Sequence, residues 1–386
     1  MAPIQPLSTT LPPLICGTAT FNIQYNTNIS SIPTNAIVRR ALDLGVRAFD
    51  TSPYYGPSES LLGAALHACS ARYPRSTYHI LTKVGRIGGS EFDYSAEWVR
   101  YSVKRSLQRL GTRYLDVVYC HDVEFVTPAE VLAAVQELRR IRDEEGTIKY
   151  VGISGYPVQL LCELAELVLR ETGEPLDAVM SYANFTLQNS TLLSGGIERL
   201  KRAGVSVVPN ASPLGMGLLR SAGVPVGGKG DFHPAPGELR ARVMQAAKFV
   251  ELRGDKLEVV AIRWALERWA RDAATVGGVG AIGISVMGVS NLEELEETMR
   301  VWNSVLDGLP VPGRKIEQVE AEWSLGRRTE IEALAAGIWD ILGDFKDYCW
   351  ASPDEGYVNI RTVKGVVAEM PPLLEVKEDI SKSSRL

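Results

Sequence analysis

The chain has 386 residues, 45% of them hydrophobic, and a formal net charge of −5. That is enough apolar material for a large core, and basic residues scattered among acidic ones give no electrostatic reason to expect a nucleic-acid or membrane-surface partner. The cysteines, Cys16, Cys69, Cys120, Cys162 and Cys349, are odd in number, far apart and never arranged as CxxC, which fits reduced thiols better than a disulfide frame or a zinc site.

The N-terminal MAPIQPLSTTLPPL has neither the basic start and continuous apolar run of a secretory leader nor the arginines of a mitochondrial one, so a cytoplasmic location is expected. The pattern that follows is a short apolar run, a polar turn and an amphipathic stretch, repeated, which predicts parallel strands crossed by helices. Strand one is Leu14 to Gly17; a helix follows from Thr34, its expected cap, to Leu44. Strand two, Val46 to Asp50, passes through Thr51-Ser52-Pro53-Tyr54-Tyr55-Gly56 into a helix from Ser58, a second expected cap, to Ala71. Strand three is His79 to Lys83, with a helix from Ala96 to Leu110. Strand four, Tyr114 to His121, precedes a helix opened by Pro128.

Strand five, Tyr150 to Ser154, and strand six, Ala178 to Tyr182, lead to helices from Pro157 to Arg170 and from Leu192 to Ala203. Strand seven is Val205 to Asn210, and a glycine- and proline-rich segment follows it to Gly237, long enough for a lid or insertion. Helices from Arg240 to Leu252 and Leu257 to Trp269 precede strand eight, Ile282 to Met287, and a last helix from Asn291 to Leu306. Eight strand-helix units predict an α/β fold, a closed (β/α)8 TIM barrel over residues 1–309. Residues 310–386 are expected to form a C-terminal helical extension with two candidate helices and a charged end. Gly278-Val-Gly280-Ala-Ile-Gly283 matches GxGxxG, but it precedes a strand and opens no helix, the reverse of a dinucleotide-binding context.

In such a barrel the functional face lies where the strands end. Asp50, Tyr55, Lys83 and His121 belong to three successive strand ends, where an unmatched charge is costly to bury. A lysine ammonium close to a phenol favours phenolate, which is the reason to pair Lys83 with Tyr55. Asp50 would hold Lys83 charged and in place, and His121 would donate to a substrate oxygen. With His67, His79, His121 and His233 as the only histidines, and no HxH or HExxH spacing, no metal site is expected.

DTSPYYG, LTK, the strand ending in His121, GIS, and SPLGMGLL followed by GVSNLEELEE resemble the aldo-keto reductase superfamily over Leu14 to Thr298. The resemblance implies a nicotinamide cofactor lying extended across the strand ends, with Tyr55 as proton donor or acceptor, Lys83 and Asp50 as its tuners and His121 as substrate orienter. The implied cofactor contacts are Gly17 and Thr18; Ser154 and Gly155; Ser181 and Tyr182; Ser212, Leu214, Gly215 and Gly217; and Gly288, Ser290, Asn291 and Glu294. Gly155 stands where the family often has an Asn, and Ser181 or Tyr182 where it often has a Gln. The segment from Gly215 to Gly230 corresponds to a loop that can fold over the cofactor.

CHDVEF and SYANFTLQNSTLL resemble the sugar-oxidising branch, L-galactose and fungal D-arabinose dehydrogenases. This implies oxidation of a sugar such as D-arabinose, L-galactose or L-fucose at the anomeric carbon, with Phe21, Tyr54, His121 and Asp122 near the substrate. NADP-dependent relatives place a Lys and an Arg where this chain has Gly288 and Glu294; a carboxylate repels a phosphate, so NAD is expected ahead of NADP. The alternatives are an NADPH-dependent reductase of aldehydes such as pyridoxal, and a non-catalytic module like the potassium-channel beta subunits.

Overall fold

Short runs rich in β-branched and other apolar residues become the strands β1 (Leu14–Gly17), β2 (Ala48–Asp50), β3 (His79–Val84), β4 (Leu115–His121), β5 (Ile148–Gly155), β6 (Ala178–Tyr182), β7 (Val208–Ala211) and β8 (Gly283–Gly288). In this computed structural model, which describes residues 5–22, 26, 28–224, 230, 232–273, 283–311 and 313–361, each strand pairs in parallel with the next and β8 pairs with β1. The result is the expected closed (β/α)8 barrel. Its largest boundary shift is at β7, because Val205 and Val207 are buried but this stretch joins the sheet only through an isolated bridge from Val207 to Ala178.

The intervening helices are α1 (Thr34–Asp43), α2 (Ser58–Ala68), α3 (Ala96–Leu110), α4 (Pro128–Glu145), α5 (Val158–Thr172), α6 (Ile197–Arg202), α7 (Gly237–Glu251), α8 (Leu257–Arg268) and α9 (Leu292–Asp307). Two expected caps are corrected. Pro33 and Pro57 occupy the cap positions, and Thr34 and Ser58 are the first helical residues. The Ser58 hydroxyl is taken instead by Thr18 Oγ1 at 2.7 Å and Thr51 Oγ1 at 3.0 Å, tying α2 to the ends of β1 and β2. The helix expected from Leu192 opens as a π turn, Leu192–Gly196, before α6; Gly195 and Gly196 make that start a poor regular helix.

Two apolar layers hold the barrel. Inside it, Leu7, Leu11, Ile15, Leu81, Val117, Tyr119, Met180 and Ile284 pack together, so residues ahead of β1 plug its lower end. Tyr119 needs room, and Gly152 on the neighbouring β5 supplies it, since a Cβ there would lie 2.8 Å from the Tyr119 ring. The outer layer joins the strands to the helices. Register across the strand ends sets Gly17 opposite both Asp50 and Gly288, His121 opposite Ser154, and Ser181 opposite both Gly155 and Asn210.

After the barrel, α10 (Gln318–Leu342) buries Ile331, Ala335, Ile338 and Leu342, one helical stripe. The buried Arg263 guanidinium on α8 secures it by donating to Ser304 Oγ at 2.7 Å and Ser324 Oγ at 3.0 Å. α10 is one of the two helices expected after Pro310. A short turn at Gly343–Phe345 and a non-helical course follow, and helical backbone resumes at Ile360. This course crosses the upper face: Trp350 stacks on Tyr156 with centroids 4.9 Å apart, and Asn359 exchanges two hydrogen bonds with the Phe92 backbone. All five cysteines are free thiols.

Candidate active site

β2 delivers Asp50 and β3 delivers Lys83 to adjacent points on the upper rim. The Lys83 ammonium donates to Asp50 Oδ1 at 2.6 Å and to Thr51 O at 2.9 Å. Asp50 Oδ2 is buried and has no hydrogen-bond partner among the described residues. Burial therefore pushes the Asp50 carboxyl above its usual range, against the opposing pull of Lys83.

Tyr55 follows on the turn after β2, with Lys83 Nζ 4.9 Å from its ring centroid. The sequence leads one to expect Lys83 to draw this phenol down; the structure reverses the sign. Burial, then the Asp50 and Asp122 carboxylates, hold Tyr55 well above its ordinary value. Lys83 is matched by Asp50 at bonding distance, so the phenol faces a nearly neutral pair rather than a bare cation. It is a protonated phenol.

His121, at the end of β4, is buried, and its Nδ1 lies 3.0 Å from Ser52 Oγ. Burial drives its pKa down to about 3, so the ring is neutral, with Asp122 alone opposing. The rings of Tyr54 and Tyr55 meet it edge-on, at 5.9 and 5.7 Å. Asp122, in a left-handed backbone conformation, pairs with Arg86. Burial works against ionisation of Asp122, but the Arg86 guanidinium paired with it outweighs that and holds the carboxyl below its usual range. Arg86 also donates to Tyr54 Oη at 3.1 Å and lies 3.9 Å from the Tyr54 ring centroid.

These groups open into one cavity of about 450 Å³ along the strand ends. Of the sequence-predicted residues, Gly17, Asp50, Tyr54, Tyr55, Lys83, His121, Asp122, Ser154, Tyr182, Ser212, Leu214, Gly217, Gly288, Ser290, Asn291 and Glu294 line it. Phe21, Thr18, Gly155, Ser181 and Gly215 are not among the lining residues. Phe21 is fully buried in the outer apolar layer rather than facing substrate. The Thr18 hydroxyl is spent on Asp50 O and Ser58. Ser181 lies behind the wall, accepting from Asn184 Nδ2 at 3.0 Å. A Cβ at Gly155 would meet Glu124 Oε2, so a larger residue there requires that carboxylate to shift. Gly215 contributes its carbonyl to His233 Nε2 at 2.8 Å.

The cavity's far end is acidic. Glu258 on α8 and Glu293, Glu294 and Glu297 on α9 line it, with Arg220 as the cation among them. Glu294 accepts the Ser290 N–H at 2.8 Å and pairs with Arg220 at 2.8 Å, joining the segment after β7 to the helix after β8. Between the two ends lie Met180, Pro213, Leu214, Ile262, Leu266 and Val286. A cavity with proton-handling groups, apolar lining and side-chain-free backbone at Gly17 and Gly288 suits a dinucleotide. The wall from Ser212 to Arg220 is described; residues 225–229 and 231 of the expected lid, and Gly278 to Ile282 of the GxGxxG motif, lie outside the described residues.

Sequence reasoning missed Ser52, Arg86, Met216 and the acidic residues other than Glu294. Arg86 carries a signal, a charge just past the positive-φ turn at Gly85; the glutamates sit on helices, where a survey of strand ends does not reach. Among the described residues no cluster of His, Cys, Asp or Glu suits a metal, and no helix is long and apolar enough to cross a membrane.

The sequence model of the Aldo/keto reductase family matches residues 13–309. D-arabinose 1-dehydrogenase of Saccharomyces cerevisiae is 46% identical over 286 residues, 74% of this chain and 81% of the yeast protein. L-galactose dehydrogenase of Arabidopsis thaliana is 36% identical over 283 residues, 70% of this chain and 83% of the plant protein. D-threo-aldose 1-dehydrogenase of a Pseudomonas species is 27% identical over 269 residues, 63% of this chain and 78% of its own length. With its barrel closed and the strand-end residues gathered on one cavity, the chain belongs to the aldo/keto reductase family of oxidoreductases.

Proposed function

We propose that this protein oxidises an aldose of the D-arabinose, L-galactose or L-fucose type at its anomeric carbon to the lactone, with NAD as the hydride acceptor. The observation that carries this reading is the convergence of Tyr55, the Lys83–Asp50 pair and a neutral His121 on one cavity. The names of the relatives, which include two dehydrogenases of such sugars, support the substrate class.

In this reading His121 and Tyr55 hold the anomeric oxygen between them. The hydroxyl proton goes to the Tyr55 oxygen as the C–H bond gives up its electron pair, so carbon and oxygen become a carbonyl. A bound NAD supplies the acceptor for that hydride. Since the free site holds Tyr55 protonated, oxidation depends on ionising the phenol. Arg86 and Asp122 neutralise one another at the substrate end, which suits sugar hydroxyls and leaves, among the described residues there, no free cation for a phosphorylated or carboxylated sugar. At the far end Glu258, Glu293, Glu294 and Glu297 outnumber Arg220; that excess of negative charge favours a ribose hydroxyl over a 2′-phosphate.

A panel of neutral aldoses, sugar phosphates and pyridoxal, assayed with NAD, NADP and NADPH across pH, tests the reading. Turnover of D-arabinose or L-galactose with NAD, rising toward alkaline pH, is expected. Activity confined to pyridoxal with NADPH would overturn it.

A further inference from the structure

Ser52 is fully buried beside the end of β2. Its Oγ lies 3.0 Å from His121 Nδ1 and accepts the Tyr54 backbone N–H at 3.1 Å. These are the hydroxyl's hydrogen-bond partners among the described residues.

A serine hydroxyl carries one proton and two lone pairs. The Tyr54 amide takes a lone pair and cannot accept a proton in return. If His121 Nδ1 were protonated, both contacts would use lone pairs and the buried hydroxyl proton would face no acceptor, an arrangement folded proteins avoid. With Nδ1 bare, the hydroxyl donates to it, and the Ser52 hydroxyl, the Tyr54 amide and Nδ1 are all matched. We infer that Ser52 is a positioning residue that holds His121 as the Nε2–H tautomer and so leaves a hydrogen-bond donor facing the substrate oxygen.

The surroundings of the ring agree. His121 Nε2 is 3.6 Å from Asp122 Oδ2, too long for a full hydrogen bond, and Asp122 is already engaged by Arg86. The Nε2 proton therefore remains available to a ligand on the cavity side. Ring rotation is limited by the edge-on Tyr54 and Tyr55 rings, and the His121 carbonyl accepts Tyr94 Oη–H at 2.7 Å, fixing the strand end. Ser52 acts through His121 and touches no reacting atom. The inference rests on the reading of His121 as donor to the substrate oxygen.

The test is 15N NMR of histidine-labelled, cofactor-free protein, with His121 assigned by the signals lost in His121→Gln. Wild-type protein is expected to show a protonated Nε2 and an unprotonated, hydrogen-bonded Nδ1. Ser52→Ala is expected to abolish the hydrogen-bond shift at Nδ1 and to lower kcat roughly 10- to 100-fold, with KM within about threefold of wild type, as loss of orientation at a reacting centre does. A proton on Nδ1 in the wild type, or an Nδ1 resonance unmoved by Ser52→Ala, overturns the inference. Full turnover by His121→Gln would instead remove the role of His121 itself, whatever the tautomer.

Discussion

Asp50 and Asp116 are both buried carboxylates on barrel strands, both paired with cations, and they differ in how completely they are matched. Asp116, near the start of β4, receives Arg75 Nη2 at 2.6 Å, Lys149 Nζ at 2.9 Å and the Ile80 N–H at 2.9 Å, with His79 Nδ1 at 3.4 Å. Burial opposes its ionisation, yet these partners hold the carboxyl well below its usual range. Asp50, at the opposite rim, has Lys83 on one oxygen and, among the described residues, nothing on the other, and its carboxyl moves upward. The matched aspartate ties strand to strand at the lower end, the end that serves stability in such barrels. The half-matched one is strained electrostatically next to Tyr55, on the face where these barrels place chemistry.

Breaking each pair should therefore have different consequences. Lys83→Met leaves Asp50 buried without a cation, and the expected outcome is loss of turnover with a destabilisation of roughly 3 kcal/mol, read by steady-state assay and chemical unfolding. Adding Asp50→Leu should restore most of that stability and none of the activity, since an apolar pair replaces a buried ion pair at little cost.

Asp116→Asn is expected to do the reverse. It should lower stability by about 2 kcal/mol, less than for a fully buried pair because Arg75 and Lys149 reach solvent. Turnover per folded molecule should stay within about twofold of wild type, because Asp116 lies at the other end of the barrel from the cavity.

The smallest effect is on pH dependence. Asp116 has a depressed folded pKa, so its stabilisation is complete above the unfolded value of about 3.9 and is lost as pH falls through the folded value. Asp50 has a raised folded pKa, so its contribution is intact below the unfolded value and is lost as pH rises through the folded one. Below about pH 4, unfolding free energy in Asp116→Asn should vary less steeply with pH than in wild type, by at most about 1.4 kcal/mol per pH unit for the one proton removed. An unchanged slope would mean that Asp116 is no stronger an acid folded than unfolded.

The barrel was legible because its strands are short apolar runs ending in polar residues, and because Asp50, Lys83 and His121 sit at those ends. What stayed hidden depends on neighbours that are distant in sequence. Phe21 follows β1 and looks like a pocket residue until the packing buries it. Ser58 has the residue type of a cap, but Thr18 and Thr51 claim its hydroxyl. The upward shift of Tyr55 required knowing that Asp50 matches Lys83 and that Asp122 lies within electrostatic reach. Arg86 gains its importance from partners on two other segments, Tyr54 and Asp122.

The proposal stands most directly on Tyr55. Turnover of D-arabinose or L-galactose by Tyr55→Phe, measured alongside NAD affinity by fluorescence titration, is expected to fall at least about 100-fold while affinity stays within about twofold of wild type, since the variant removes only the phenolic oxygen. Turnover at the wild-type rate would contradict the account.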